Sequence, residues 1–186
     1  MTISFLLALA AATPLPAPAA APVAAPARTA PDVDARETRY QAWVLRCETL
    51  RAAKPPRTLC GLVSTVSVKN EGGQPTIVTR IMLRPAQTGK GYQMAFELPL
   101  GVLLPPGAQV ADGAGKPVVR LPFVACRPTS CEAGAVLTDE QTAQLRASAD
   151  KGMVFYELQN GKTMKLEYSM AGFAAALDQL KAQTAR

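Results

Sequence analysis

Pro75-Thr-Ile-Val-Thr-Arg-Ile-Met-Leu-Arg84, followed eight residues later by Tyr92-Gln-Met-Ala-Phe-Glu-Leu98, decides the fold class. In the first stretch Ile77, Thr79, Ile81 and Leu83 share one face, while Val78, Arg80, Met82 and Arg84 share the other. In the second, Tyr92, Met94, Phe96 and Leu98 alternate with Gln93, Ala95 and Glu97. A period of two places alternate side chains on opposite faces of a strand, so both stretches read as half-buried β-strands.

Similar runs lie to either side. Tyr40 to Cys47 reads as a strand carrying the single tryptophan, Trp43, and Leu59 to Val68 reads as the next. Leu98 to Val110 looks like two short strands broken by Pro-Gly turns, and Pro117 to Cys126 like one further strand. Asn160-Gly161 between Met153–Leu158 and Lys162–Tyr168 is a strong hairpin signal. Thr138-Asp139-Glu140-Gln141 is a capping box opening a helix to about Asp150, with Gly152 ending it. Phe173, Leu177 and Leu180 at helical spacing predict a C-terminal amphipathic helix. Short strands with Gly/Pro punctuation predict a mainly β protein, an antiparallel β-sandwich or barrel, with one internal helix and a C-terminal helix as accessories.

The chain has 186 residues, which suits one domain, and is 48% hydrophobic and 18% charged, which suits a folded protein. It contains no histidine. That excludes Ser-His-Asp triads, Cys-His pairs and histidine zinc sites. Asp139 and Glu140 read as partners of a helix dipole instead of an acid/base pair, because sequence neighbours on a helix diverge. Ser169 reads as the N-cap of the last helix, not a nucleophile. No catalytic, cofactor-binding or metal-binding residue is assigned.

Residues 1–27 carry no charged side chain, and Ile3 to Ala12 form an apolar run. The run is too short to cross a bilayer but fits the core of a secretory signal, with small-residue cleavage points at Ala10–Ala12, Ala17–Ala19 and Ala25–Ala27. Residues 1–27 are therefore expected to be a signal peptide, 28–39 a polar linker and 40–183 a single domain. The rival reading is a disordered Ala/Pro tail on a cytosolic protein.

Four cysteines, Cys47, Cys60, Cys126 and Cys131, agree with export as structural disulfides. Three connectivities are open, and locality favours Cys47–Cys60 with Cys126–Cys131. Neither a zinc knuckle nor a C-x-x-C redox pair fits these spacings. The net charge is +6, and the densest basic stretch runs from Arg36 to Arg57. It reads more readily as a solubilising surface than as a contact for anionic lipid or an acidic envelope polymer. Nucleic-acid binding is disfavoured, because no basic platform is interleaved with aromatics. Trp43 reads as core packing around a disulfide, with an exposed stacking role as its alternative. Leu98 to Leu104 before Pro105-Pro106-Gly107 reads as a buried strand with a rigid turn, with an apolar docking edge as its alternative.

The order Trp43-Val-Leu-Arg-Cys47, Cys60, Leu98-Pro-Leu-Gly101-Val102, Leu121-Pro-Phe-Val-Ala-Cys126 with Cys131, and Ser169-Met-Ala-Gly-Phe173 resembles the invasion-associated locus B family of bacterial envelope proteins. The likeness runs from about Tyr40 to Leu180. It implies an exported, immunoglobulin-like β-sandwich with paired cysteines, and in pathogenic members a contribution to host-cell invasion. It supplies no catalytic residues. The expected function is that of a non-catalytic envelope binding or accessory protein, periplasmic or outer-membrane-associated, whose partner is an envelope protein or an anionic surface polymer. The alternatives are a stand-alone structural or stress-related periplasmic protein and a histidine-free hydrolase.

Overall fold

A computed structural model describes residues 33–69, 72–148 and 150–184. The expected signal peptide lies outside these residues. The elements run β1 (Val33–Tyr40), β2 (Trp43–Leu50), β3 (Arg57–Lys69), β4 (Pro75–Pro85), β5 (Tyr92–Leu98), β6 (Ala108–Ala111), β7 (Pro117–Leu121), β8 (Phe123–Cys126), β9 (Cys131–Leu137), α1 (Asp139–Ala147), β10 (Lys151–Glu157), β11 (Thr163–Ser169) and α2 (Phe173–Thr184). Seven strands form one antiparallel sheet in the order β1-β2-β3-β4-β5-β9-β8, and four form a second in the order β11-β10-β6-β7. The fold is the expected mainly β, antiparallel sandwich with two helices.

The alternation in the sequence sets the register. Leu62, Leu83 and Met94 face one another across β3, β4 and β5, and Ser64, Ile81, Phe96 and Ala133 form the next inward row across to β9. All seven are buried. The second sheet meets them with Val110, Val119, Leu121, Val154 and Tyr156. Burying each such side chain contributes roughly 1.5–3 kcal/mol, which is why one face of every central strand must be apolar.

The two helices extend this core. Helix α2 turns Phe173, Ala176, Leu177 and Leu180 inward, the i, i+3, i+4, i+7 stripe of an amphipathic helix. It packs on β1, β2 and β3. Trp43 lies fully buried there, its ring centroid 4.9 Å from that of Phe173, and its Nε1–H donates to the Ser169 carbonyl at 3.0 Å. Helix α1 opens on the expected capping box: the Gln141 N–H donates to Thr138 Oγ1 at 3.1 Å, and the Thr138 N–H donates to Gln141 Oε1 at 2.9 Å.

Several expectations are corrected. Val33 to Arg39, read as linker, are strand β1, and every residue from Val33 to Tyr40 pairs with one on β2. The signal was hidden because β1 is an exposed, charged edge that buries no apolar stripe. The strand expected over Tyr40–Cys47 is broken by a two-residue turn at Gln41-Ala42, where Gln41 takes φ 54° without a glycine to mark it. Pro117 to Cys126 is two strands in different sheets, separated at Pro122, which has no N–H to continue a ladder. Of the two strands expected over Leu98–Val110, the middle segment supplies only a bridge between Val102 and Leu158, and β6 begins at Ala108. Gly152 does not end α1, which is capped at Ser148, but lies within β10 opposite Tyr168. A Cβ on Gly152 would lie 2.4 Å from the Tyr168 ring, so this glycine makes room for an aromatic. Ser169 ends β11, and its hydroxyl accepts from the Ala171 N–H two residues on instead of capping α2.

Candidate functional site

The cysteines lie at register positions that face each other directly. Cys47 pairs with Cys60 across β2 and β3, and Cys126 with Cys131 across β8 and β9. Both pairs are bridged, and no free cysteine remains. Each bridge therefore staples neighbouring strands of one sheet, unlike the inter-sheet bridge of antibody domains. Trp43 is core, as read from the sequence, but its aromatic partner is Phe173 of α2.

Ionisable groups converge in a groove of about 570 Å³ between the β4–β5 turn, α1 and α2. Asp139, Thr142 and Arg146 line it from one face of α1, at helical spacing, and Asp178 and Lys181 face them from α2. Tyr92 stands at the β5 end. Gly91, at φ 73°, is needed there, because a Cβ would meet the Leu137 carbonyl at 2.6 Å. The Arg146 guanidinium grips Asp178 with two parallel hydrogen bonds, at 2.5 and 2.8 Å.

Two groups of this groove have shifted titration. The hydrogen bond from Arg146 holds the Asp178 carboxyl below its usual range, although some burial pulls the other way. Partial burial, together with the negative fields of Asp139 and Asp178, pushes the Tyr92 phenol up. The ionised carboxylate and the protonated phenol are therefore the forms favoured at neutral pH. Asp139 lies in the groove while Glu140, its neighbour, does not line it, as expected of adjacent helix residues.

A smaller hollow of about 280 Å³ lies on the outward face of the four-stranded sheet. Phe155 lines it, between Lys165 on β11 and Gln109 on β6 in the strand register, with Arg120 on β7 completing the row. Glu157 and Thr163, opposite each other on β10 and β11, line one side, and Pro106-Gly107 the other. These residues were missed in the sequence, although Phe155 and Glu157 occupy the outward positions of an alternating strand.

Of the surfaces singled out in the sequence, the basic stretch is interleaved with acids. Arg46 contacts Glu37 and Glu48 at 3.2 and 2.8 Å, and Arg51 contacts Asp34 at 2.9 Å. Two of its six cations are thus paired among the described residues, and the stretch keeps a net positive charge. Leu98 and Val102 are buried as a strand reading requires, but Leu100, Leu103 and Leu104 are exposed. The segment is thus anchored at alternate points and leaves three leucines on the surface. No helix among the described residues is long and apolar enough to cross a membrane.

Comparison with known proteins places this architecture. The profile of the Invasion associated locus B (IalB) protein family matches residues 43–181. The chain is similar to the invasion protein B homologs of two Brucella abortus strains, 2308 and biovar 1 strain 9-941. Each is 27% identical over 147 residues, covering 78% of this chain and 79% of the relative. The fold is similar to the crystal structure of invasion associated protein B from Bartonella henselae, with a TM-score of 0.65 at 18% identity, over 81% of this chain and 99% of that one. The matched region runs from the buried Trp43 to α2 and includes both disulfides, so the chain belongs to the invasion associated locus B family.

Proposed function

We propose that this chain is an exported, non-catalytic binding or accessory protein of the bacterial envelope. The observation that carries the reading is the pair of cross-strand disulfides with no free cysteine left over. Paired structural cysteines persist in oxidising compartments and are rare in the cytosol. The uncharged, Ala/Pro-rich residues 1–27 supply a secretory signal in this reading. The relatives' names, which tie them to invasion, agree with a surface or envelope role.

A binding role is supported further by how the ionisable groups are engaged. The acidic groups with shifted titration, Asp112, Glu167 and Asp178, are all held below their usual range by hydrogen bonds. A carboxylic acid serving a hydrolase as proton donor needs the opposite shift.

Crosslinking in intact cells of the native host, followed by mass spectrometry of everything attached to the chain, tests the proposal. An envelope protein or polymer captured reproducibly is the expected result. Recovery of the chain from the cytosolic fraction, with cytosolic neighbours attached, would overturn it.

A further inference from the structure

We infer that the hollow over Phe155 is a binding site for an acidic saccharide, a pyranose ring bearing a carboxylate. The inference rests on the envelope-binding reading above and names one ligand class for it. Phe155 is the one aromatic side chain, among the described residues, on the outward row of the four-stranded sheet. Tyr156 and Tyr168 on the same two strands point into the core.

Phe155 is half-buried and lines the hollow beside Gln109, Arg120, Glu157 and Thr163, so an aromatic side chain and polar groups meet there. An aromatic face of this kind packs against the C–H face of a sugar ring, while hydroxyls at the ring edge need hydrogen-bonding groups around it. Those groups are present at the rim. The Arg120 Nε–H donates to the Pro106 carbonyl at 2.6 Å, which braces the guanidinium, and among the described residues its terminal nitrogens make no further hydrogen bond. A guanidinium held in this way recognises a carboxylate through two parallel hydrogen bonds. Glu157 makes no ion pair among the described residues and can accept from sugar hydroxyls, and Thr163 stands opposite it. Gln109 is held in place by donating Nε2–H to the Val110 and Val119 carbonyls at 3.0 and 2.9 Å, which leaves its Oε1 as an acceptor.

Charge selects the acidic member of the sugar class. Lys151 and Lys165 share the single carboxylate of Glu167, at 3.4 and 2.9 Å. Counted with Arg120 and Glu157, which make no ion pair among the described residues, this outward face carries three cations and two carboxylates, and that excess of positive charge attracts an anion and repels a cation.

Backbone amide NMR of the folded protein, titrated with tetragalacturonate and a hyaluronan tetrasaccharide, with cellotetraose as neutral control, tests the site. At least one acidic oligosaccharide is expected to shift the amides of Gln109, Arg120, Phe155 and Glu157, and to bind at least fivefold more tightly than cellotetraose. Phe155→Ala should weaken binding at least tenfold with the spectrum otherwise retained, and Arg120→Gln should abolish the preference for acid over neutral sugar. Absence of shifts at these four residues with both acidic probes, or undiminished binding by Phe155→Ala, overturns the site. The Phe155→Ala chain is also crosslinked in cells: an envelope partner captured as efficiently as by the unaltered chain would sink the saccharide site while sparing the broader envelope reading.

Discussion

Gly172 shows how much a single residue can fix here. It takes φ +84°, and a Cβ at this position would lie 2.1 Å from the Tyr40 carbonyl oxygen. Beside it the Ala42 N–H donates to the Ala171 carbonyl at 3.2 Å, and Trp43 reaches the Ser169 carbonyl. The Ser169–Phe173 segment therefore ties the end of β11 to the β1–β2 turn while it starts α2. Gly172→Ala adds a backbone clash to left-handed strain, and is expected to cost about 3 kcal/mol or more in chemical denaturation. Gly161→Ala, at φ +80° with nothing near the missing Cβ, should cost only about 1–2 kcal/mol. Equal costs at the two sites would refute the close-approach explanation. In the sequence Gly172 was legible only as part of a family motif, and Gly152 was misread as a helix stop. A glycine's reason often lies in a distant strand, and local spacing cannot reveal that partner.

Among the elements, those that bury one apolar face were readable and those that bury neither were not. β4 and β5 announced themselves by alternation, and α1 by its cap. β1 and the β7–β8 break did not, because the first is a charged edge and the second depends on which sheet receives each half. Thr138→Ala removes the acceptor for the Gln141 N–H, and should lower stability by about 1 kcal/mol in urea titrations without altering the β content. The hairpin staples differ in reach. Replacing Cys47 and Cys60 together by alanine opens the 13-residue separation and should cost about 3 kcal/mol, whereas the five-residue separation of Cys126 and Cys131 should cost about 2. Calorimetry of the two double variants orders them, and a larger loss for the Cys126/Cys131 pair would contradict loop closure as the cause. The groove between the helices was only half legible: the capping box pointed to Asp139, but Tyr92 and Asp178 reach it through the fold.

At the scale of the whole molecule, the lack of histidine leaves a pH signature. Asp112, Glu167 and Asp178 have folded-state values below their unfolded ones. The stability they contribute is therefore present above the unfolded carboxylate range and is lost as pH falls through the depressed folded values. Stability should be level between about pH 6 and 8, where only a histidine side chain ordinarily titrates, and should decline below about pH 4. Asp178→Asn should make that acid decline shallower, and an unchanged acid limb would argue that the Arg146 contact contributes nothing. The sandwich was legible from alternation, and the two staples from the cysteine count and spacing. The outward face of the second sheet was not, because an exposed phenylalanine in an alternating strand has no meaning until its neighbours on β6, β7 and β11 are known. Differential alkylation of intact native cells, with mass spectrometry of the cysteine peptides, tests the central claim most directly. An exported, stapled protein yields Cys47 linked to Cys60 and Cys126 linked to Cys131, with alkylation only after reduction. Four cysteines alkylated without reduction would contradict both the export and the staples.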